Sequence, residues 1–573
     1  MVKRNNFMKS LSIFVLLSAL SAAAFAQKSA SGFDPVSGEL QLNGGAGQVD
    51  PLDAKLQLTL RGHQFYLKPY IGVNVVTKDA SANLEDLHYL YSGTTNVYDS
   101  HLETWSKGQN YLYGFSGSYV FNPMSYVSFS LDGNYSNLHG YGSRTEMLVD
   151  QYSSASYTPF RTNLDKPTES ANNLKANVVY NLRLKDIVST IRLMGNFSRE
   201  AADDETLQTV ISGQGALPFK ENYLHINNVT TTFSLVADYQ RFFDQGQILT
   251  AGVRYQHRDI NSDNLQHLDK VRSLDLRFLH QMNEASLYAG YKIVGSRGLV
   301  NALLEYVYTD MNGTNLNDLV PTFNAVLLLN KHQDLSLVYG MRLVRPEAKL
   351  LNPSQIQGAF TLDYGNPALQ YLHANNLMLS HTYKNDVVKY STTLQHVFAN
   401  DGFNAMWMVK DNLRVSTWGN EGIRRQWSLT PELTYTPTPK TTLDAKLIVM
   451  WDKRIAEAIH MDKEHWGITT HLGLKQQLPA RFRLNAHADY AEGNTIDLYS
   501  HAGRSLSFGG ELQRSFLPSD RLNLTLSYNN TECAKTILTQ GVDLPNGIKG
   551  YTGEAYSRPL HRYLWLLALN WKF

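Results

Sequence analysis

Chemistry in this chain would have to come from scattered groups. Eighteen histidines are spread over 573 residues, and the tightest set is His460, His465 and His471. His465 and His471 are an even number of positions apart, so on a regular strand they share a face, but a metal would need a third fixed ligand that the spacing does not supply. They read as solvated histidines. There is no GxxxxGK[ST] loop to cradle phosphate and no HExxH zinc helix. Gly114-Phe115-Ser116-Gly117-Ser118 has its second glycine one position too early for a nucleophile elbow. The one cysteine, Cys533, has no partner within the chain for a disulfide. The sequence is therefore read as a non-enzyme with no metal and no cofactor. The enzymatic alternative is a hydrolase pair assembled at a barrel rim from several strands.

Recognition is the other chemistry on offer. Arg481, Arg483, His487 and Asp489 alternate with Phe482, Leu484, Ala486 and Ala488, which puts the polar set on one face as candidates to line a wet interior. Tyr89, Tyr91, Tyr98 and Trp105 in the stretch 78–107, and Tyr141, Tyr152, Tyr157 and Phe160 in 141–170, lie among Ser, Thr and Asn. Such aromatics suit glycans or peptides, and equally a membrane-rim girdle with loop packing.

The elements that must position these groups repeat with period two. Val127, Phe129, Leu131 and Tyr135 alternate with Ser128, Ser130, Asp132 and Asn134, and Tyr111 to Phe121 repeats the pattern before the turn Asn122-Pro123-Met124-Ser125. Short turns, such as Arg61-Gly62-His63, Lys185-Asp186, Asn385-Asp386 and Pro518-Ser519-Asp520, alternate with long polar stretches at 78–107, 141–170, 200–225, 345–372 and 534–560. Ten short turns and eleven long connections predict an all-β fold, a transmembrane antiparallel β-barrel of about 22 strands of the outer-membrane type, with strands of roughly 11 residues and both ends in the periplasm. Closure follows because hydrocarbon leaves no unpaired backbone group unpunished. With 52 basic against 51 acidic residues, 43% apolar and 18% charged, the chain is neither disordered nor a polybasic nucleic-acid binder. Its mean hydropathy of −0.31 fits strands with one lipid face.

Residues 1–26 read as a signal peptide: Lys3, Arg4 and Lys9, an apolar run, then Ala24-Phe25-Ala26. That leaves 27–36 as a short periplasmic segment and 37–573 as the barrel, in the outer membrane of a Gram-negative bacterium. The last strand puts Tyr563, Trp565, Leu567, Leu569, Trp571 and Phe573 on one face. Trp571 and Phe573 are the expected assembly signal, with outer-membrane lipid and the barrel-assembly machinery as partners.

Several motifs resemble one family. Asn43-Gly44-Gly45-Ala46-Gly47 before a hairpin, Val320-Pro321-Thr322-Phe323, Arg345-Pro346, Leu351-Asn352-Pro353, Tyr364-Gly365-Asn366-Pro367-Ala368-Leu369 and Trp418 to Gly422 follow the order of outer-membrane β-barrel proteins related to TonB-dependent receptors. The likeness covers roughly 37–573. It implies nutrient or solute uptake. The family's transporters carry a plug ahead of the barrel, and the ten residues 27–36 are too few for one, so a plug or lipoprotein lid supplied in trans is the expected partner. The alternatives are a passive diffusion porin and a non-transport surface-binding or adhesin barrel. Arg345, Pro346, Asn352, Pro353, Tyr364 and Asn366 are the candidate loop gate, in a segment whose prolines and Gly365-Asn366 also serve simply to end one strand and re-enter the next.

Overall fold

The computed structural model describes residues 37–45, 52–76, 83–91, 96–150, 160–186, 188–212, 219–243, 246–269, 272–357, 361–410, 413–457, 461–495, 500–532, 535–538, 551–559 and 563–573. The proposed signal peptide 1–26 and segment 27–36 lie outside them, as do Tyr152, Tyr157, His460 and Cys533.

Alternation of apolar and polar residues extends the backbone, and each segment of the barrel wall pairs antiparallel with the next wall segment in the chain. The last strand, Tyr563–Lys572, then pairs with the first, Ser37–Gly45, through Leu40 opposite Trp571 and Leu42 opposite Leu569. Of 28 strands in the sheet, 22 close this barrel. The other six, Asn83–Tyr91, Ile356–Gln357, Thr361–Asp363, Ser500–Ala502, Lys535–Leu538 and Tyr551–Pro559, belong to the long connections at the opposite end from the short turns. The side chains sort by parity. Leu287, Leu304, Trp466 and Leu472 stand exposed on the outside, while Glu284, Ser286, Glu305, Thr309 and Asp452 are buried on the inward face.

Two expectations need correction. The stretches 78–107, 141–170 and 200–225 are largely strand, because Asn96–Asn122 runs 27 residues, Ser125–Asp150 26, Phe160–Arg183 24 and Ser189–Ser212 24. Crossing a bilayer takes about 9–11 residues, so these ladders continue well beyond it. Outside the bilayer both faces are wet, the apolar alternation fades, and the pairing becomes invisible to a hydropathy reading. Trp105 stacks on Tyr141 within this extended wall, rings 6.0 Å apart. Second, Arg481 is in the turn Pro479–Arg481, with φ 61°, so it leaves the strand face shared by Arg483, His487 and Asp489.

Closure at the periplasmic rim is specific. The Phe573 N–H donates to the Gly38 carbonyl at 2.9 Å, and the Gly38 N–H returns the bond to Phe573 at 2.8 Å. Leu40 and Leu56 are buried beside Leu42, Leu58, Trp571 and Phe573, so the first hairpin and the chain end share one apolar cluster.

Candidate functional site

The connection between strands Gln333–Val344 and Leu372–Lys384 folds back onto the inner wall with a cluster of its own. Its origin lies upstream. Strand Thr314–Asn330 pairs with Gln333–Val344 only as far as Thr322 opposite Gly340, although it stays paired with Gly298–Met311 as far as Thr314 opposite Met311. The separation falls at Pro321, which has no N–H to give a ladder. Past it, Arg345 and Pro346 end the strand, Ala348–Leu351 makes one helical turn, and Ile356–Gln357 pairs with Thr361–Asp363. Thr361–Asp363 then adds as a short parallel strand beside Arg414–Ser416.

Three anchors hold this segment. Arg345 forms an ion pair with Glu284, an inward carboxylate of strand Arg272–Gly295 that is only 4% exposed, and Arg258 donates to the Pro346 carbonyl at 3.3 Å. Burial, with Arg258 and Arg254 close by, lowers the Arg345 guanidinium below the usual arginine range. Further along, Asn352 donates to the Ser262 hydroxyl at 2.9 Å and Asn264 to Ser354 at 3.0 Å, tying the loop to strand Gln247–Leu268. At the exit Tyr371 donates to Asp318, and His373 Nε2 meets the same carboxylate at 2.6 Å. Burial and that carboxylate push the Tyr371 hydroxyl upward, so it stays a donor. Between the anchors Leu350, Leu351 and Leu369 are buried against Ile260 and Phe278 from one side, with Phe403 and Trp418 from the other.

The loop also closes on itself. The N–H groups of Gly365 and Asn366 donate to the carbonyls of Asn352 and Leu350 at 2.7 and 2.6 Å, and the Tyr364 N–H to Ser416 at 3.0 Å. Asn366 Nδ2 donates to the Trp418 carbonyl at 2.9 Å, and Asn420 exchanges bonds with the backbone of Gln370. All six candidate gate residues are thus in one folded unit, with Pro353 beside Ser354 at its surface. A Cβ on Gly365 would sit 2.5 Å from the Asn352 carbonyl and 2.7 Å from its nitrogen. Gly365→Ala should cost about 1–3 kcal/mol of loop packing, seen as faster proteolysis within 350–368; an unchanged cleavage rate would contradict the close approach.

The other candidates lie lower in the lumen. Arg483 pairs with Asp520 at 2.8 Å and His471 with Asp489 at 2.6 Å, while Arg481 donates to the Leu517 carbonyl at 3.0 Å on the periplasmic rim. His487 lies opposite Gly473 and Gly509. His465 meets His501, ring centroids 4.2 Å apart, and not His471. Glu284, Ser262, Asn264, Asp318 and Asn420 are contacts that sequence reasoning missed. Each sits on a strand far from the loop in the chain, so only the register reveals it.

Comparison with known proteins agrees with this architecture. The sequence profile of the outer membrane protein beta-barrel family matches residues 182–531. No curated protein sequence matches the chain. Among solved structures, a mutant of the ferric enterobactin receptor of Pseudomonas aeruginosa superposes with a TM-score of 0.57 at 12% identity, covering 94% of this chain and 80% of that one. The copper transporter OprC gives 0.64 at 10% identity, with 95% and 81% covered. The ferric yersiniabactin uptake receptor of Yersinia pestis gives 0.59 at 8%, with 95% and 81% covered. At such identities the likeness is one of fold.

Proposed function

We propose that this chain, which belongs to the outer membrane protein beta-barrel family, takes up a nutrient or other solute across the Gram-negative outer membrane through a mouth gated by the segment 345–371. The observation that carries the reading is the anchoring of that segment to inward-facing side chains, Glu284, Ser262 and Asn264 among them. An idle surface loop would not need a buried ion pair and an apolar cluster on the lumen side. A barrel of 22 strands encloses a lumen too wide to leave unguarded, and a loop in its mouth is one guard. A plug or lipoprotein lid supplied by a partner chain would be another, and would bring any coupling to the inner-membrane energy system. Insertion would pass through the barrel-assembly machinery. No step of this cycle calls for catalysis.

The test is conductance of the purified protein in planar bilayers. The intact chain should be nearly silent, and deletion of 350–368 should give a large steady conductance. A large conductance in the intact chain would replace this reading with a passive porin. Silence in both, with no loss of uptake on deletion, would leave a surface-binding barrel.

A further inference from the structure

Strands Leu413–Thr438, Thr441–Ala456 and Met461–Leu478 place Arg424 opposite Arg454 and Arg454 opposite Lys463. Directly paired residues share a face. Here it is the inward one, because Trp427, Leu429, Trp466 and Ile468 on the other parity are exposed on the outside. Three cations thus stand side by side on the lumen wall. Like charges in directly opposed positions destabilise a sheet, and a sequence that keeps three in a row keeps them against stability.

The next row toward the membrane is Gln426, Asp452 and His465, again in register. Asp452 has a side chain with no exposed area and meets both guanidinium groups, Arg424 Nε at 3.3 Å and Arg454 Nε at 3.0 Å. One carboxylate holds two arginines in fixed orientation. Among the described residues no carboxylate lies within 4 Å of Lys463 by the same measure. His501, from the short strand Ser500–Ala502, lies with its ring tilted against that of His465. Its Nδ1 is a buried atom without a partner, and so is the Thr495 hydroxyl, whose backbone carbonyl takes a bond from Arg454 at 3.4 Å. The row lies 13 to 15 residues above the short turns, beyond the length that crosses a bilayer, and on the same strand as Trp418 and Asn420, which hold the gate segment.

Two adjacent histidines invite a metal reading. The surroundings oppose it. Lys463 sets a cation near His465, the Asp452 carboxylate opposite that ring is already committed to two arginines, and no set of three metal-ligating side chains occurs among the described residues. Burial and Lys463 lower His465, and burial and His465 lower His501, which leaves neutral rings that can donate an N–H to an anion.

We infer that Arg424, Arg454, Lys463, His465 and His501 form a binding site for an anionic group, a phosphate or carboxylate, on the solute that enters the mouth. The inference rests on the uptake reading for its physiological role, but the site itself is tested by binding alone. Two rigid guanidinium groups and an ammonium are the donor set that planar or tetrahedral oxyanions match. Bound there, an anion would neutralise the row and remove the cross-strand repulsion.

The experiment is thermal unfolding of the purified full chain in neutral detergent, with inorganic pyrophosphate or citrate against sodium chloride at equal ionic strength. Both polyvalent anions should raise the midpoint of the intact chain. Lys463→Gln should raise the midpoint without ligand, because one member of the repelling row is gone, and should weaken binding at least about tenfold. Lys453→Gln removes the same charge from the opposite, outward-facing parity of the adjacent strand and should keep the full anion response. Equal responses in Lys463→Gln and the intact chain, or a lower unliganded midpoint in Lys463→Gln, would overturn the site. Stabilisation by zinc, reversed by chelator and abolished in His465→Gln, would overturn it in favour of a metal. Silent bilayers before and after loop deletion, with the anion response intact, would sink the gate and leave this site standing.

Discussion

Glu284→Ala should undock the segment 345–371 while leaving the barrel closed. Glu284 is buried and accepts the ion pair from Arg345, whose own side chain keeps a quarter of its area in solvent. Removing one partner of a buried pair costs about 3–5 kcal/mol, because the other charge is left behind without compensation. The lower end applies, since Arg345 can relax toward water through its exposed quarter. About 3 kcal/mol corresponds to roughly a hundredfold rise in the open fraction. Maleimide labelling reads it directly: Ser354→Cys, at a position 5% exposed in the docked loop, in a Cys533→Ser background, should label about a hundredfold faster when Glu284→Ala is added. Replacing both partners, Glu284→Leu with Arg345→Met, should restore slow labelling, since a matched apolar pair carries no desolvation penalty. Slow labelling in Glu284→Ala would show that Asn352 and the Leu350 cluster hold the loop unaided. An apolar pair that labels as fast as Glu284→Ala would show that the charges, and not their desolvation, set the geometry.

The fold was legible because it rests on local rules. Period-two alternation and turns such as Asn122 to Ser125 and Pro518 to Asp520 are properties of neighbours in the chain, and they suffice to give strand number and pairing order. The loop motifs were legible as punctuation, Pro346 and Pro353 as strand ends and Gly365-Asn366 as a turn. What they build was not. Asn352 finds Ser262, and Arg345 finds Glu284, across about 61 to 90 positions of chain, and a one-residue change of register would turn either partner to the outside. Arg481 illustrates the reverse limit. It continues the alternation of Arg483, His487 and Asp489 faultlessly, yet the left-handed backbone of the turn takes it off the face. The basic row of Arg424, Arg454 and Lys463 is invisible in sequence for the same reason: its members sit on three adjacent strands and only the ladder aligns them.

The chain end should be as sensitive as the gate. Deleting Phe573 removes both reciprocal backbone bonds with Gly38 and the ring that lies over the Gly38 Cα, where even an added Cβ would come within 2.6 Å. It also uncovers Leu40 and Leu56, the apolar pair on which the first hairpin meets the last strand. Nothing else along strand Ser37–Gly45 replaces this contact, because its other edge is already paired with Leu52–Arg61. Trp571→Asp attacks the same seam by a different route. Its charge would face lipid opposite Leu40, at a cost of about 2–4 kcal/mol at mid-membrane that falls toward the interface, where this residue lies. The cost there is too small to unfold a finished barrel, so both variants should fail earlier, in closing the sheet during insertion. The expected outcome is loss of the heat-modifiable folded band and of outer-membrane protein for the Phe573 deletion, with Trp571→Phe behaving normally and Trp571→Asp in between. Normal heat-modifiable mobility of the truncated chain would mean that the pairing of Leu40 with Trp571 and Leu42 with Leu569 closes the barrel unaided, and that the terminal aromatic has no part in assembly.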